Sequence, residues 1–226
     1  MIIRWDAPGS YEVAFSTRLG GVSEGAFASL NLGLLTDDRR ANVEENRRRL
    51  CAAVGADPEK LTLNRQVHGA EVHRAVAAQR GVPGDGLWTD EPGVPMLKVT
   101  ADCLPVALAR VNDGPGLALL HAGWRGLSEG VLDAGVAALG GPIAAVIGPG
   151  IGACCYEVGP EVAGLFGVRG RRLDLRAVAE RVLHAAGVER IEHVDVCTAC
   201  DAERFFSHRR DGGVTGRQGV IGFVGR

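Results

Sequence analysis

The fold class follows from one stretch of sequence, Met96-Leu-Lys-Val-Thr-Ala-Asp-Cys-Leu-Pro-Val-Ala-Leu-Ala-Arg-Val111, which is followed after a turn by Leu117-Ala-Leu-Leu120. It contains three short apolar runs, at 96–100, 105–111 and 117–120, each bounded by Gly, Pro or Asp. Short apolar runs between turn-forming residues are typical of strands that are buried in a sheet. The stretch therefore predicts a buried sheet at the centre of the protein.

The flanking sequence predicts further strands and three helices. We expect strands at 11–17, 61–67, 144–147, 191–196 and 220–224. The helices are expected from Asp37 or Asp38 to about Val54, from Gly126 to Leu139, and from Asp174 to Ala186. The order of elements does not repeat a βαβ unit, which favours α+β with mixed sheets over a doubly wound nucleotide fold. With no linker or internal repeat, residues 1–226 are expected to form a single domain.

Composition excludes several classes of function. The chain has 25 basic and 27 acidic residues, and aromatic residues make up only 5% of it. A nucleic-acid track needs a basic excess and stacking aromatic residues, so we expect no nucleic-acid partner. Residues 134–156 carry no charge, but they contain six glycines and two prolines, which would break a membrane-spanning helix. Because the N-terminus lacks the features of a signal peptide, we expect a cytoplasmic protein without a membrane partner.

Six cysteines in 226 residues are too few for a disulfide scaffold, so we expect reduced thiols. Cys197 and Cys200 have CxxC spacing, but no second CxxC completes a four-cysteine metal site, and we interpret the pair as structural. Cys154 and Cys155 are adjacent, and we expect at least one of them to pack in the interior rather than face a metal. Cys51 lies late in a predicted helix and is interpreted as a core residue.

Three metal-binding side chains fall where predicted strands end. His68 follows the strand at 61–67, Cys103 follows the strand at 96–100, and His121 follows the strand at 117–120. A strand end can hold a side chain rigidly and still leave it accessible. Two imidazoles and one thiolate suit zinc, and three protein ligands leave a fourth position for water or substrate.

Four ordered blocks make the chain similar to one known family. They are Gln-Val-His-Gly at 66–69, Thr-Ala-Asp-Cys-Leu-Pro at 100–105, His-Ala-Gly-Trp-Arg-Gly at 121–126, and Ile-Gly-Pro-Gly-Ile-Gly at 147–152 with Tyr-Glu-Val-Gly at 156–159. Further matches at 15–23, 29–32 and 205–211 extend the likeness over nearly the whole chain. The sequence resembles the bacterial family long named laccase-domain or polyphenol oxidase, and later assigned as purine nucleoside phosphorylases.

This resemblance implies a layered α/β/β/α sandwich with zinc held by His68, Cys103 and His121, the three residues expected at the catalytic centre. It implies purine nucleosides and phosphate as ligands. The implied reactions are phosphorolysis of adenosine, inosine and 5′-methylthioadenosine, and hydrolytic deamination of adenosine. The chain departs from the family pattern at Gly150, at His208 and at 86–88, which bears on substrate preference and leaves the three proposed ligands intact.

Other charged residues are candidates for proton transfer and phosphate binding. An acid/base carboxylate comes from Asp102 or Asp85, although either side chain equally suits a turn cap. Arg125 directly precedes a predicted helix, so its guanidinium and the first backbone N–H groups are expected to bind phosphate. Arg18 and Arg65 are further phosphate candidates, with a surface or ion-pair role as the alternative for each arginine.

Three other functions compete with the phosphorylase. Cys103 and His121 also suit a cysteine hydrolase or deamidase. A copper-dependent polyphenol oxidase fits less well, because the chain has six histidines and no His-x-His pair, and copper is then an alternative or adventitious metal. A non-catalytic nucleoside-binding module would need a fourth zinc ligand from His73 or Cys155. The sequence leaves open whether the protein is a monomer or a homodimer.

Overall fold

Two large β-sheets stack face to face in the computed structural model, which describes residues 2–112 and 114–225. The strands are β1 (Ile2–Trp5), β2 (Tyr11–Ser16), β3 (Leu63–Arg65), β4 (Val72–Arg74), β5 (Arg80–Pro83), β6 (Gly86–Thr89), β7 (Met96–Thr100), β8 (Leu104–Arg110), β9 (Leu117–Ala122), β10 (Ile143–Ile147), β11 (Arg190–His193) and β12 (Gln218–Val224). The helices are α1 (Arg40–Val54), α2 (Trp124–Glu129), α3 (Val131–Leu139), α4 (Pro160–Leu165) and α5 (Leu175–Ala185).

The larger sheet has six strands in the order β11-β10-β8-β9-β6-β4. Parallel pairing occurs at its two ends, between β10 and β11 and between β4 and β6, and the central pairs are antiparallel. The smaller sheet has the order β1-β2-β12-β7 and is antiparallel throughout. A separate two-stranded ladder joins β3 and β5. The six-stranded sheet is therefore mixed, as the sequence predicts, whereas the smaller sheet is purely antiparallel.

Strands β8 and β9 are buried on both faces. Along β8, Leu104, Val106 and Leu108 pack against the helices, whereas Ala107 and Ala109 face the second sheet. Successive side chains of a strand point to opposite faces, so a strand covered on both sides needs a continuous apolar run. This is why the apolar runs of the sequence predict these strands so closely.

Three apolar clusters define four layers. One cluster lies between the six-stranded sheet and helices α2 to α5, a second lies between the two sheets, and a third lies between the four-stranded sheet and α1. The order of layers is thus helix, sheet, sheet, helix, and the predicted α+β sandwich in a single domain is confirmed.

The ends of the helices differ from the prediction in two places. The helix expected at 126–139 is two helices, because Gly130 between them adopts a left-handed conformation with φ 90°. Neither Asp37 nor Asp38 caps α1; the Asp38 carboxylate instead accepts hydrogen bonds from Ser23 Oγ at 2.6 Å and Asn31 Nδ2 at 2.9 Å. The left-handed Gly55 (φ 72°) ends α1, and the Asp174 carboxylate caps α5 by accepting hydrogen bonds from the backbone N–H groups of Arg176 and Ala177.

Within residues 2–112 and 114–225, no helix combines the length and the apolar character needed to span a bilayer. The uncharged stretch at 134–156 forms the end of α3, strand β10 and the glycine-rich loop that follows it.

Candidate metal centre

His68, Cys103 and His121 converge on one point, although they come from three separate segments. Their nitrogen and sulfur atoms all lie within 4.8 Å of one another. The two imidazole rings meet edge to face, with centroids 4.9 Å apart and planes at 69°. Ligand atoms at about 2.0–2.3 Å from one tetrahedral ion lie roughly 3.3–3.8 Å apart, so the three side chains fit one coordination sphere after small adjustments.

Different local structures position the three side chains. His121 lies in β9 opposite Pro105 of β8, and only 4% of its surface is exposed. Cys103 lies in the bend that joins β7 to β8. His68 follows β3 with φ 63°, a left-handed conformation that turns its exposed imidazole towards the other two side chains.

Gly123 allows the backbone to pass directly beside the cysteine sulfur. A Cβ atom at this position would lie 2.7 Å from Cys103 Sγ and 3.5 Å from His68 Cδ2. Because the first of these distances is shorter than any van der Waals contact, a larger residue would displace the sulfur. Gly123 is also the residue that precedes α2, so the short helix starts at the candidate site.

A fully buried carboxylate orients His121. Asp85 Oδ1 lies 2.7 Å from His121 Nδ1, and Asp85 Oδ2 accepts hydrogen bonds from the backbone N–H groups of Val67 and Gly69, each at 2.9 Å. Burial alone would raise the pKa of Asp85, but the hydrogen bond from His121 and those from the backbone lower it to about 2. The bond at Nδ1 leaves Nε2 of the imidazole free for a metal.

The sulfur of Cys103 is held in an electrostatic environment that favours the thiolate. Burial raises its pKa, but the His121 and His68 imidazoles outweigh that effect and lower the pKa to about 6. Burial lowers the pKa of His121, while the Cys103 thiolate and Asp85 raise it to about 9. A thiolate is the form of cysteine that binds metals and acts as a nucleophile.

Asp102 lies in the bend between β7 and β8, directly before Cys103. It has φ 92°, and only 7% of the residue's surface is exposed. Oδ1 accepts a hydrogen bond from Thr198 Oγ1 and Oδ2 accepts one from the backbone N–H of Arg209, both at 2.7 Å. The carboxylate therefore ties the segment before β8 to the long loop that precedes β12.

The three predicted phosphate-binding arginines have different surroundings. Arg125 is the second residue of α2 rather than the residue before it, and its exposed guanidinium lies 4.3 Å from the ring of Trp124. The guanidinium of Arg18 donates to the carbonyl oxygens of Ala28 at 2.7 Å and Ala202 at 3.1 Å. Arg65 is exposed at the end of β3.

Sequence reasoning missed several charged and polar residues near the site. Tyr156 lies 5.1 Å under the guanidinium of Arg209, and burial together with the nearby Cys103 raises the pKa of Tyr156 to about 12. Arg217 is half-buried. Burial lowers its pKa, and the nearby charges of Cys103 and Asp102 partly offset that effect. Tyr156 and Arg209 lie in the family-like blocks at 156–159 and 205–211, which is a signal that could have found them, whereas Arg217 lies outside these blocks.

Lys98 is a further missed residue, and here the sequence contains a signal. It is the single charged residue in the apolar run of β7, and its side chain is completely buried. Its ammonium group donates to Asn64 Oδ1, and burial lowers its pKa to about 7, which the charge of Asp85 partly offsets. A charged residue in the middle of a buried strand is expected to have a specific partner.

The arrangement of strands and site residues agrees with a family assignment. Residues 12–224 match the family model described as multi-copper polyphenol oxidoreductase laccase. The chain belongs to this laccase-type family. The resemblance seen in the four sequence blocks is thereby confirmed.

Relatives of this laccase-type protein carry the name of a different activity. It is 37% identical to purine nucleoside phosphorylase YlmD of Geobacillus stearothermophilus, over 93% of this chain and 88% of that protein. It is 40% identical to purine nucleoside phosphorylase PA4543 of Pseudomonas aeruginosa, over 91% and 90% of the two chains. Identity to purine nucleoside phosphorylase YfiH of Escherichia coli is 38%, over 93% of each chain.

Solved structures share the whole fold. The crystal structure of YlmD from Geobacillus stearothermophilus superposes with a TM-score of 0.91 at 34% identity, covering 98% of this chain and 94% of that one. The crystal structure of protein NMB0706 from Neisseria meningitidis superposes with a TM-score of 0.92 at 34% identity, covering 100% and 99% of the two chains.

The residues that the structure describes contain a second group of potential metal ligands. The sulfur atoms of Cys154, Cys155, Cys197 and Cys200 all lie within 4.8 Å of one another. Cys155 packs partly against the core, as expected for one of the adjacent cysteines, but the expectation that packing keeps it away from a metal site was wrong, since both sulfurs reach this group. Cys51 is buried in the core, as predicted.

Proposed function

We propose that this protein is a zinc-dependent purine nucleoside phosphorylase that acts on adenosine, inosine and 5′-methylthioadenosine, and that it also deaminates adenosine. The observation that carries the proposal is the convergence of His68, Cys103 and His121, with Asp85 orienting the second histidine. The names of the relatives support a nucleoside phosphorylase. We further propose that residues 1–226 act as one catalytic domain.

The donor set fits zinc better than a group of copper ions. Two imidazoles and one thiolate would hold zinc with one position left open, as in catalytic zinc sites. Multicopper oxidase chemistry needs many histidines, whereas the chain has six and no His-x-His pair. When bound, zinc supplies a Lewis acid that polarises an oxygen ligand and lowers the pKa of a bound water to about 7.

In phosphorolysis, an oxygen of phosphate forms a bond to C1′ of the ribose while the bond from C1′ to the purine nitrogen breaks. The electron pair leaves with the base, which takes up a proton and is released beside the sugar 1-phosphate. We propose that Arg125 holds the phosphate, because its guanidinium is exposed and lies on the helix that starts beside Cys103. Arg18 is a poorer candidate, since two carbonyl oxygens already occupy its guanidinium.

We propose that Asp85 and Asp102 are positioning residues rather than the acid/base. Both are buried, and both oxygens of each carboxylate accept hydrogen bonds from the protein or contact His121. Asp85 holds the His121 imidazole in one orientation and tautomer. Deamination adds water to C6 of the purine and releases ammonia. It therefore uses the same metal centre, with His121 oriented by Asp85, but needs no phosphate.

One observation favours a second candidate, a cysteine hydrolase. Cys103, His121 and Asp85 form a nucleophile, base and orienting carboxylate in the order required for a triad, and the pKa of the thiol is lowered to about 6. In that case the Cys103 sulfur would form a thioester with the substrate's carbonyl carbon, the leaving amine would depart with a proton from His121, and water would then hydrolyse the thioester. Because the same sulfur cannot be both nucleophile and stable zinc ligand, the zinc bound at Cys103, measured as the difference in zinc content between the natural protein and Cys103→Ala, separates the two functions.

The deciding experiment combines metal analysis with product identification. Protein prepared without added metal is assayed for zinc and copper, and is then incubated with adenosine, inosine and 5′-methylthioadenosine, with and without phosphate. We expect zinc, phosphate-dependent release of free base and sugar phosphate, and inosine from adenosine. Stoichiometric copper with oxidase activity, or full activity in a metal-free protein, would contradict the proposal.

Variants define which residues carry the activity. Cys103→Ala and His121→Ala are expected to lose both the metal at this site and turnover, while circular dichroism shows a folded protein. His184→Ala is the matched control, because His184 is a half-exposed histidine on α5 that contacts Val188 and Glu180. Retained turnover in a folded Cys103→Ala variant would show that catalysis does not need Cys103, whereas nucleoside binding without turnover in the natural protein would favour a non-catalytic nucleoside-binding module.

A further inference from the structure

Outside the candidate active site, four cysteines from two loops meet at the protein surface. Cys154 and Cys155 lie in the loop after β10, and Cys197 and Cys200 lie in the loop after β11. We propose that these four thiols hold a second zinc ion in a closed, structural tetrathiolate site. This proposal does not depend on the nucleoside phosphorylase activity.

Distances between the sulfur atoms fit a tetrahedral metal. Cys200 Sγ lies 3.4 Å from Cys155 Sγ and 3.6 Å from Cys154 Sγ, and all four sulfurs are within 4.8 Å of one another. With zinc–sulfur bonds of about 2.3 Å, a regular tetrahedron separates the sulfurs by roughly 3.8 Å. A disulfide requires about 2.05 Å, so the observed arrangement has the spacing of ligands around an ion rather than of bonded pairs.

The adjacent cysteines both reach the cluster because they lie in a helical turn. Tyr156 N donates to Gly152 O at 3.0 Å, the i to i+4 bond of one turn of α-helix. In such a turn, successive side chains diverge by about 100° rather than by the 180° of a strand. Adjacency therefore does not prevent Cys154 and Cys155 from binding one ion.

The CxxC pair, Cys197 and Cys200, also lies in a helical turn. Asp201 N donates to Cys197 O at 3.1 Å, which closes a second helical turn. Residues three apart in a turn lie on the same face, so Cys197 and Cys200 point in one direction. The CxxC spacing supplies two of the four ligands, and Cys154 and Cys155 in the other loop supply the remaining two.

One backbone N–H group donates to the cluster, and two arginines lie beside it. The backbone N–H of Gly152 donates to Cys197 Sγ at 3.2 Å, and a Cβ atom on Gly152 would lie 3.2 Å from both Cys154 Sγ and Cys197 Cβ. The guanidinium of Arg172 donates to Cys154 O, and that of Arg176 donates to the carbonyl oxygens of Gly150 and Val196. These cations flank a group that carries net negative charge when four thiolates bind one divalent ion.

The cluster lies on the loops that reach the candidate active site. Thr198, within the CxxC turn, donates to Asp102 beside Cys103, and Tyr156 follows Cys155 directly. The second zinc ion would therefore fix the two loops relative to each other without touching a substrate. Structural zinc sites have four protein ligands, which is the number present here.

The test uses the full chain, purified anaerobically from cells grown without added metal, with zinc and iron measured per chain. We expect two zinc ions in the natural protein, one in Cys103→Ala, and one in the Cys154→Ser/Cys200→Ser double variant. Cys51→Ala is the control, since this cysteine belongs to neither group, and it is expected to retain both ions. No zinc in a folded Cys103→Ala protein, or iron in place of zinc, would overturn the proposal.

A second measurement does not depend on the stability of the cysteine variants. The Cys103→Ala protein, stripped of metal and titrated with Co²⁺, is expected to develop the intense absorption of tetrahedral cobalt bound to thiolates, saturating at one equivalent. Chelator treatment should then expose four additional thiols to alkylation, as counted by mass spectrometry. A weak octahedral cobalt spectrum, or a disulfide among the four cysteines of anaerobically purified protein, would disprove the site.

Discussion

The Oδ1 atom of Asp85 lies 2.7 Å from Nδ1 of His121, within the interior of the six-stranded sheet. The contact joins the residue before β6 to the end of the neighbouring strand β9, and His121 N also donates to Asp85 O at 2.8 Å. A metal-binding histidine needs such a partner, because the bond at one nitrogen directs the other nitrogen to the metal. The geometry of the candidate centre thus depends on a residue that binds no metal.

Replacing Asp85 by Asn is expected to weaken zinc binding at this centre by about 10- to 100-fold, the usual effect of removing the partner of a ligating histidine. Competition with a chromogenic chelator, on protein whose four-cysteine group has been saturated first, measures the change. Asp90→Asn is the matched control, because Asp90 is a half-exposed carboxylate paired with Arg74. Equal affinities of the Asp85 and Asp90 variants would show that Asp85 does not orient His121.

The substitution Gly123→Ala is expected to reduce zinc occupancy and turnover at least about tenfold, since the misplacement of one ligand by a fraction of an ångström disrupts a metal site. The added Cβ would lie 2.7 Å from Cys103 Sγ, while the backbone conformation, with φ −82°, accepts alanine. Zinc content and initial rates provide the measurement. Gly164→Ala on α4 is the comparison, because a Cβ there meets nothing within 4 Å, and helix propensity predicts a gain in stability of up to about 1 kcal/mol. Normal zinc content in Gly123→Ala would contradict the close packing.

We expect Arg125→Ala to raise the KM for phosphate by about tenfold or more and to leave the KM for the nucleoside nearly unchanged, because a guanidinium contributes a charge-assisted bond to phosphate. Initial rates at varied phosphate and fixed nucleoside concentrations measure this split. Arg65→Ala is tested beside it, since Arg65 is also exposed and the sequence suggests the same role for it. If only the Arg65 variant loses phosphate affinity, the assignment of Arg125 is wrong.

The burial of Lys98 predicts a pH dependence of stability. Its pKa falls from 10.5 to about 7 on folding, so between these values the unfolded chain binds more protons than the folded one, and stability rises with pH. From about pH 7 to about pH 9, the free energy of unfolding should increase by about 2 kcal/mol relative to Lys98→Met, which lacks the titrating group. Urea denaturation of both proteins across this range is the measurement. Lys60→Met, at an exposed lysine, should run parallel to the natural protein, and a parallel profile for Lys98→Met would refute the prediction.

The central strands could be predicted because their pattern is local. The apolar run at 105–111 corresponds to β8 at Leu104–Arg110, and the run at 144–147 corresponds to β10 at Ile143–Ile147. Turn residues mark the ends of such runs, and burial on both faces makes them continuously apolar. The boundaries that failed, at Gly130 and at Asp38, depend on backbone conformation and on polar partners distant in the sequence.

The candidate ligands could also be inferred from sequence, but their partners could not. His68, Cys103 and His121 lie in blocks that identify the family, whereas the role of Asp85 follows from a partner 36 residues away in the chain. The four-cysteine group could not be predicted from the sequence, because the adjacency of Cys154 and Cys155 argued against their binding one metal ion. Only the helical turns at 152–156 and 197–201 bring the four sulfurs together.

Hydrophobic patterning and residue chemistry are local properties, so they were enough to predict which segments are buried strands, which side chains are able to bind a metal, and which family the chain resembles. The tertiary structure alone decided that Asp85 contacts His121, that Lys98 is buried beside Asn64, and that two cysteine pairs form one cluster. These contacts join residues far apart in the chain, and they depend on strand order and register, which the pattern of any single segment does not contain.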